Sequence, residues 1–248
     1  MKKLFIDINA DLGEGFPFDK DLMPFISSAN IACGYHAGSV DIMKFTMDMA
    51  FEKNVAIGAH PGFNDKINFG RENIQLSDDG YYNLVSEQLY IMQQHAAQSE
   101  QIIHHVKPHG ALYNIAAINP LIAYTIAKAV YDFNDDIIFY GLSNSCMITE
   151  AAKVGLVTAN EVFADRTYQN NGTLTSRKEN NALITDAFKS IQQVLQMLEQ
   201  QTVNTTNKNS IQIKAETICL HGDGEHAVEF ATTLFQTLKE HKIEVQTI

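Results

Sequence analysis

The sequence is short of the features that mark several large classes of protein. Its three cysteines (Cys33, Cys146 and Cys219) have unrelated spacings, which excludes a disulfide framework and fits a reducing compartment. Lys and Arg number 18 against 29 Asp and Glu, and the net charge of −11 argues against nucleic acid or an anionic membrane as a partner. Every apolar run is too short to span a membrane, and no signal-peptide core follows Met1. We therefore expect a soluble, cytoplasmic protein.

The signatures of several common active sites are absent as well. The sequence contains no Walker A loop, no Gly-x-Gly-x-x-Gly after a strand, no Gly-x-Ser-x-Gly elbow, no Cys-x-x-Cys pair and no His-Glu-x-x-His zinc motif. Any chemistry in this chain must therefore be read from residues that lie far apart in the sequence.

What the sequence does contain is a regular alternation of apolar runs with segments of helical period. Seven runs are strand candidates, at residues 6–8, 31–33, 55–57, 102–106, 137–140, 162–163 and 218–220. Such alternation predicts a parallel sheet, and 248 residues suit one domain, residues 1–248. Polar residues follow at least six of the runs, whereas an open doubly wound sheet would concentrate them at one switch point. We therefore predict an α/β fold, a parallel (β/α)7 TIM-like barrel, and keep the open sheet as the alternative.

Several boundaries and loops can also be predicted. Ser39, Ser77 and Asn119 are predicted helix N-caps, and Gly155 is a predicted helix end. Residues 164–177 form a segment long enough to act as a lid. Residues 202–210 are predicted to be a mobile polar loop without core residues.

Four of the nine histidines occupy the same kind of position, directly after an apolar run. They are His36, His60, His109 and His221. A single histidine in such a place is more often structural, but the four would converge in a barrel, where neutral imidazoles suit metal ligation or proton transfer. The other five are interpreted as surface residues: His95, His104, His105, His226 and His241.

Asn9, Asp11 and Glu14 form a polar cluster after the first run. Asn9 and Asp11 share one face of an extended segment because side chains alternate along a strand. The cluster could stabilise a loop through Asx turns. Alternatively, Asp11 or Glu14 could serve as a general base or a metal ligand.

Charged residues elsewhere predict the capture of an anion. Lys107 stands inside a strand-like run, where an unpaired ammonium is costly, so it needs Asp11 or a bound carboxylate or phosphate unless it lies on an exposed edge. Arg71 and Arg166, the latter next to Asp165, lie in predicted loops. Each suits bidentate binding of a carboxylate or phosphoryl group, with a plain surface ion pair as the alternative.

Seven blocks of sequence, spread from the first strand to the last, together resemble the LamB/YcsF family. The blocks are residues 9–14 (NADLGE), 30–38 (NIACGYHAG), 58–61 (GAHP), 69–71 (FGR), 106–113 (VKPHGALY), 163–168 (FADRTY) and 219–223 (CLHGD). The chain departs from the family pattern at Glu72, where a second Arg is usual, at Asn64, where Pro is usual, and at Pro17, where Gly is usual. No role is therefore assigned to Glu72.

The resemblance implies a barrel of the glycoside hydrolase/deacetylase type and a role as the A subunit of bacterial ATP-dependent 5-oxoprolinase. That activity opens the lactam of 5-oxo-L-proline to L-glutamate with ATP hydrolysis, together with subunits B and C. ATP is expected to lie wholly or partly on those partners, and a divalent metal could be bound. His221 with Asp223 would donate a proton to the ring nitrogen.

The residues expected to form the site fall into three groups. The expected catalytic residues are Asp11, Glu14, Lys107, His109, His221 and Asp223. The expected substrate-binding residues are Asn9, His36, His60, Arg71, Asp165 and Arg166. The expected metal ligands are Asp11, His36 and His60. Two alternative functions remain open: a metal-dependent deacetylase of N-acetyl sugars, and a non-catalytic subunit that only binds the lactam.

Overall fold

Seven parallel strands form a closed barrel in the computed structural model, which describes residues 4–221 and 227–248. The strands of the ring, in order around it, are β1 Leu4–Leu12, β2 Ser28–Ala32, β3 Ala56–His60, β4 His105–Val106, β5 Ile138–Leu142, β6 Thr158–Phe163 and β9 Thr217–His221, and β9 pairs back with β1. The prediction of a (β/α)7 barrel is therefore confirmed, and all seven predicted strands are present. Three short strands lie outside the ring: β7 Thr202–Asn204, β8 Ser210–Gln212 and β10 Ile243–Val245.

Helices follow the strands of the ring and cover its outer face. They are α1 Asp19–Leu22, a 3-10 turn Met23–Phe25, α2 Val40–Lys53, α3 Asp78–Gln98, α4 Gly110–Ile118, α5 Pro120–Phe133, α6 Cys146–Val154, α7 Ala187–Gln200 and α8 Ala227–Glu240. The predicted N-caps are confirmed, since Ser39, Ser77 and Asn119 each accept a backbone N–H of the first turn. Gly155 ends α6 in the left-handed region, as predicted.

Residues 202–210 differ from the prediction. β7 and β8 pair antiparallel as a short hairpin, and Val203 is fully buried. The prediction of a loop without core residues is therefore wrong. Polar neighbours hide this strand in the sequence, because a strand of three residues buries only one side chain toward the protein.

The interpretation of His105 as a surface residue is also wrong. Its side chain is fully buried inside the barrel on β4. Alternation along the chain turns His105 and Lys107 to the same side, inward. His95 and His104 are half-buried and His241 is exposed, whereas His226 lies outside the described residues.

No single helix among the described residues combines the length and the apolar character needed to cross a membrane. One bent pair of helices, α4 with α5, passes that test jointly, on length and composition alone.

Candidate active site at the carboxyl ends of the strands

A cleft of about 510 Å³ opens at the carboxyl end of the barrel. Its walls come from the ends of β1, β4, β5 and β6 and from residues 173–178. This is the end at which barrels of this kind place their chemistry. The segment predicted as a lid thus supplies one wall of the cleft, while its movement remains a prediction.

Four side chains from four consecutive strand ends converge at the cleft. Glu14, His36, His60 and His109 each offer one donor atom, and these atoms lie within 4.8 Å of one another. Glu14 Oε1 lies 3.2 Å from His36 Nε2 and 3.3 Å from His109 Nδ1. The same oxygen lies 3.8 Å from His60 Nε2. The convergence predicted for three of the four strand-end histidines is therefore observed.

The position of Glu14 is set by the turn that follows β1. Gly13, just before Glu14, has φ +71°, which a residue with a side chain rarely adopts. Its backbone N–H donates to Asp19 Oδ2 at 2.7 Å. The turn lifts the chain out of the strand direction and aims Glu14 at the histidines.

Backbone carbonyl groups determine which imidazole nitrogens face the cluster. His60 Nδ1 lies 2.7 Å from the Lys107 carbonyl oxygen and must donate to it, since a carbonyl only accepts. His109 Nε2 donates in the same way to the Phe69 carbonyl oxygen at 2.9 Å. The remaining nitrogens, His60 Nε2 and His109 Nδ1, lie 2.9 Å apart with their lone pairs facing each other. Two such lone pairs repel unless a proton or a cation lies between them.

Burial keeps the imidazoles of His36 and His109 neutral. It lowers the pKa of both residues well below the ordinary value, and the neighbouring imidazoles lower it further. The two rings stack at 3.8 Å between centroids. Neutral imidazoles present lone pairs, so the cluster has the donor chemistry of a metal site.

Of the predicted metal ligands, His36 and His60 belong to this cluster together with Glu14 and His109, and Asp11 lies beside it. Asp11 Oδ2 approaches His60 Nε2 at 3.3 Å, while its Oδ1 accepts from Lys107 Nζ at 2.8 Å. Lys107 therefore holds Asp11 beside the cluster, because a charge-assisted hydrogen bond of this length is a strong interaction.

Lys107 lies between two carboxylates. Its side chain is 2% exposed, and Nζ lies 2.8 Å from Asp11 Oδ1 and 2.9 Å from Glu161 Oε1. Burial alone would lower the pKa of Lys107, but the charges of Asp11 and Glu161 outweigh it and hold that pKa well above its ordinary value. The predicted contact between Lys107 and Asp11 is present, and the alternative of an exposed edge is excluded.

Glu161 is a residue of the site that the sequence motifs did not point to. It is fully buried on β6, and Tyr113 from the wall of the cleft lies near it. Burial, and then the charge of Glu161, raises the pKa of Tyr113 well above its ordinary value. The signal that could have found Glu161 resembles the one that identified Lys107: a charged residue directly beside an apolar run, here Val162–Phe163.

Three residues predicted to bind substrate do not line the cleft: Asn9, Asp165 and His36, which is fully buried in the cluster. Asn9 is fully buried one pleat below Asp11, donates to Thr217 Oγ1 at 2.7 Å and accepts from Lys107 Nζ at 3.2 Å. Residues two apart on a strand are about 6.6 Å apart along it, so only Asp11 reaches the mouth of the barrel. Asp165 is half-buried and is not among the residues that line the cleft.

Cationic side chains gather at the rim. Arg71, Arg166 and Arg177 all line the cleft. Arg166 is 4% exposed and donates to the carbonyl oxygens of Thr175 at 2.5 Å and Ala182 at 3.3 Å. Burial lowers the pKa of Arg166 to about 10, so the guanidinium stays charged near neutral pH. A buried cation held mainly by backbone carbonyls is suited to an anionic ligand.

Of the last two predicted catalytic residues, His221 and Asp223, the structure describes only the backbone of His221. β9 ends at His221, whose backbone lies opposite Asp11 in the sheet. The side chain of His221, and Asp223 altogether, lie outside the described residues.

Comparison with known proteins agrees with this geometry. A model of the LamB/YcsF family matches residues 6–248. The A subunit of 5-oxoprolinase from Bacillus cereus is 48% identical over 248 residues, 98% of each chain. The lactam utilization protein from Thermus thermophilus is 33% identical and superposes with a TM-score of 0.92, covering 99% of this chain and 100% of that one.

A more distant structure supports the fold alone. A protein described as T48 deacetylase superposes with a TM-score of 0.54 at 12% identity, covering 98% of this chain and 87% of that one. The expected barrel of the deacetylase type is thereby confirmed. On the family match and the whole-chain similarity, this chain belongs to the LamB/YcsF family.

Proposed function

We propose that this chain is the A subunit of an ATP-dependent 5-oxoprolinase, which opens the lactam of 5-oxo-L-proline to L-glutamate together with subunits B and C. The observation that carries the proposal is the cluster of three imidazoles and Glu14 beside the Lys107–Asp11 pair; all of these residues except His36 line one cleft. Support comes from relatives of nearly full length that are named as A subunits of 5-oxoprolinase.

The cluster fits a divalent metal of the zinc class. Three imidazoles and one carboxylate form a donor set that such a cation prefers. The opposed lone pairs of His60 and His109 need a cation or a proton between them. Carbonyl groups that fix the outer nitrogens are also usual around metal-bound histidines. When bound, the metal would polarise a carbonyl oxygen and lower the pKa of a water molecule.

The cationic rim fits the carboxylate of the substrate. Arg71 and Arg166 present guanidinium groups at the wall of the cleft, and a guanidinium binds a carboxylate through two parallel hydrogen bonds. Holding that carboxylate would bring the lactam carbonyl toward Lys107. The rim could equally hold the phosphoryl group during transfer, since both ligands are anions of similar geometry.

The need for ATP has a chemical reason. The lactam is a resonance-stabilised amide, and its oxygen becomes a better electron sink once the γ-phosphoryl group of ATP is transferred to it and ADP leaves. Water then adds to the carbon that bears this oxygen and loses a proton to a base. The C–N bond breaks as the nitrogen takes up a proton, and a second water hydrolyses the acyl phosphate. Lactam, ATP and two waters thus give glutamate, ADP and phosphate.

Residues of this chain have distinct parts in that sequence. Asp11 is the base that accepts the proton of the attacking water, since its Oδ2 faces the histidine cluster. The Lys107 ammonium stabilises the negative charge that develops on the water-derived oxygen of the tetrahedral intermediate, because it lines the cleft and stays protonated. ATP is expected to bind wholly or partly on the partner subunits.

The test is glutamate release from 5-oxo-L-proline, measured with and without ATP, by this chain alone and mixed with its B and C partners. We expect turnover only in the full mixture with ATP, and a loss of at least about 100-fold in Asp11→Asn and His109→Ala. Both variants near wild type would refute the scheme. Acetate release from N-acetyl sugars by the isolated chain without ATP would instead support the deacetylase alternative, which the histidine cluster also allows.

A further inference from the structure

The interior of the barrel below the site is polar. Interiors of such barrels are mostly filled by branched apolar side chains. Here Asn9, Asn30 and His105 are all fully buried in the layer beneath Asp11. Burying polar groups is costly unless every one is hydrogen-bonded, so an apolar layer would pack at less cost. The polar layer therefore calls for a reason other than stability.

The hydrogen bonds of this layer have a defined direction. Asp11 Oδ1 accepts from Lys107, and a carboxylate has no proton to offer, so Asn30 must turn its amide nitrogen toward it. Asn30 Nδ2 lies 2.8 Å from Asp11 Oδ1 and 2.7 Å from Asn9 Oδ1. The Asn30 carbonyl oxygen then points away from the site, and it accepts from His105 Nε2 at 2.8 Å.

The tautomer of His105 follows from this direction. Because Asn30 Oδ1 only accepts, His105 Nε2 carries the proton and Nδ1 carries the lone pair. His104 Nδ1 lies 3.2 Å from His105 Nδ1 and donates to it. One line of hydrogen bonds thus runs from His104 through His105 and Asn30 to Asp11.

The ring of His105 is held in a single orientation. It stacks on Tyr140 of β5, with centroids 4.2 Å apart and planes 15° apart. On its other side Gly58 of β3 is its partner in the sheet. A Cβ atom at Gly58 would lie 2.1 Å from His105 Nε2, so only glycine leaves room for the ring. Burial lowers the pKa of His105 well below the ordinary value, which agrees with a neutral ring.

We propose that His105 is a positioning residue that acts through Asn30 to orient the Asp11 carboxylate. With the Asn30 carbonyl oxygen occupied by His105, its NH₂ group is fixed toward Asp11 Oδ1. That contact and the Lys107 contact hold Oδ1, and the rigid carboxylate leaves Oδ2 aimed at His60. Without His105 the Asn30 carbonyl oxygen loses its donor, and the amide is held only through its NH₂ group, by Asp11 and Asn9. The inference rests on the proposed role of Asp11 as the base.

Two substitutions separate a hydrogen-bonding role from a packing role. His105→Gln places an amide N–H close to the position of Nε2, whereas His105→Phe keeps the stacking on Tyr140 but cannot donate. We expect His105→Phe to lower kcat by about 10–100-fold with KM little changed, as for other residues that orient a functional group from behind. His105→Gln should stay within about threefold of wild type. His241→Gln, at an exposed histidine, is the matched control.

The opposite order, with His105→Phe as active as His105→Gln or more so, would overturn the inference, because a packing role favours the aromatic ring. A second measurement needs neither turnover nor a stable variant at position 105. Nitrogen-15 NMR of wild-type protein labelled at histidine should show the Nε2–H tautomer for His105, and Asn30→Ala should abolish the fixed tautomer. An Nδ1–H tautomer in the wild type would refute the inference even if 5-oxo-L-proline proved not to be the substrate.

Discussion

Replacing Lys107 by methionine tests whether the lysine compensates two buried acids. The ammonium is 2% exposed and lies 2.8 Å from Asp11 and 2.9 Å from Glu161, both of which are buried. Removing one member of a buried ion pair costs about 3–5 kcal/mol, because the partner's charge is left uncompensated. In a chain of this length each kcal/mol lowers the Tm by about 2–4 °C, so we expect a loss of about 6–20 °C.

The assay is thermal unfolding of Lys107→Met beside two comparison variants. Lys128→Met removes an exposed ion pair with Asp132 on α5 and should leave the Tm unchanged. Adding Asp11→Asn and Glu161→Gln to Lys107→Met should recover much of the lost stability, because the uncompensated charges are then gone as well. If Lys107→Met melts within about 2 °C of wild type, the assignment of Lys107 as a buried counter-ion is wrong.

Three further predictions follow from the same site. With a chelator present, lowering the pH from 6.5 to 5.5 should destabilise the fold by about 1 kcal/mol for each of His36, His105 and His109. The pKa values of these residues are lowered in the folded state, so the unfolded chain takes up protons first as the pH falls. Denaturant unfolding at both pH values measures the effect, and an unfolding free energy that does not change with pH contradicts it. Zinc at 100 times its Kd should raise the unfolding free energy by about 2.7 kcal/mol in wild type and far less in His109→Ala, as read from Tm against metal concentration. Gly58→Ala should displace the His105 ring and lower both Tm and kcat, and an unchanged Tm would show that the sheet yields at that point.

The polar layer beneath the site links stability to function in this barrel. Asn9 is held from below by Thr217, which also bonds Asp7, and Asn30 is held by His105. Thr217 orients the Asn9 amide so that its oxygen accepts from Lys107, and His105 orients the Asn30 amide so that its NH₂ group donates to Asp11. The cost of burying these groups is thus offset by hydrogen bonds that also keep Asp11 and Lys107 in place.

Much of the fold could be predicted because its signals are local. Seven apolar runs with helical segments between them indicate a barrel, and the capping residues Ser39, Ser77 and Asn119 mark where helices begin. The convergence of His36 and His109 could also be predicted, since both follow strands whose ends meet at one mouth. The hairpin around Val203 could not, because it depends on one buried side chain within a polar segment.

Local patterns in the sequence were therefore enough to predict the architecture, the end of the barrel at which the polar residues gather and most of the residues that lie there. Which of these residues touch depends on how the distant strands meet in the folded barrel. His60 owes its tautomer to a carbonyl 47 residues away, and Asp11 owes its orientation to Lys107, 96 residues away. Local periodicity states which face a side chain occupies, but a hydrogen bond depends on distances of tenths of an ångström between distant strands. For that reason the contacts of Glu161 with Lys107 and of His105 with Asn30 became visible only once the barrel was closed.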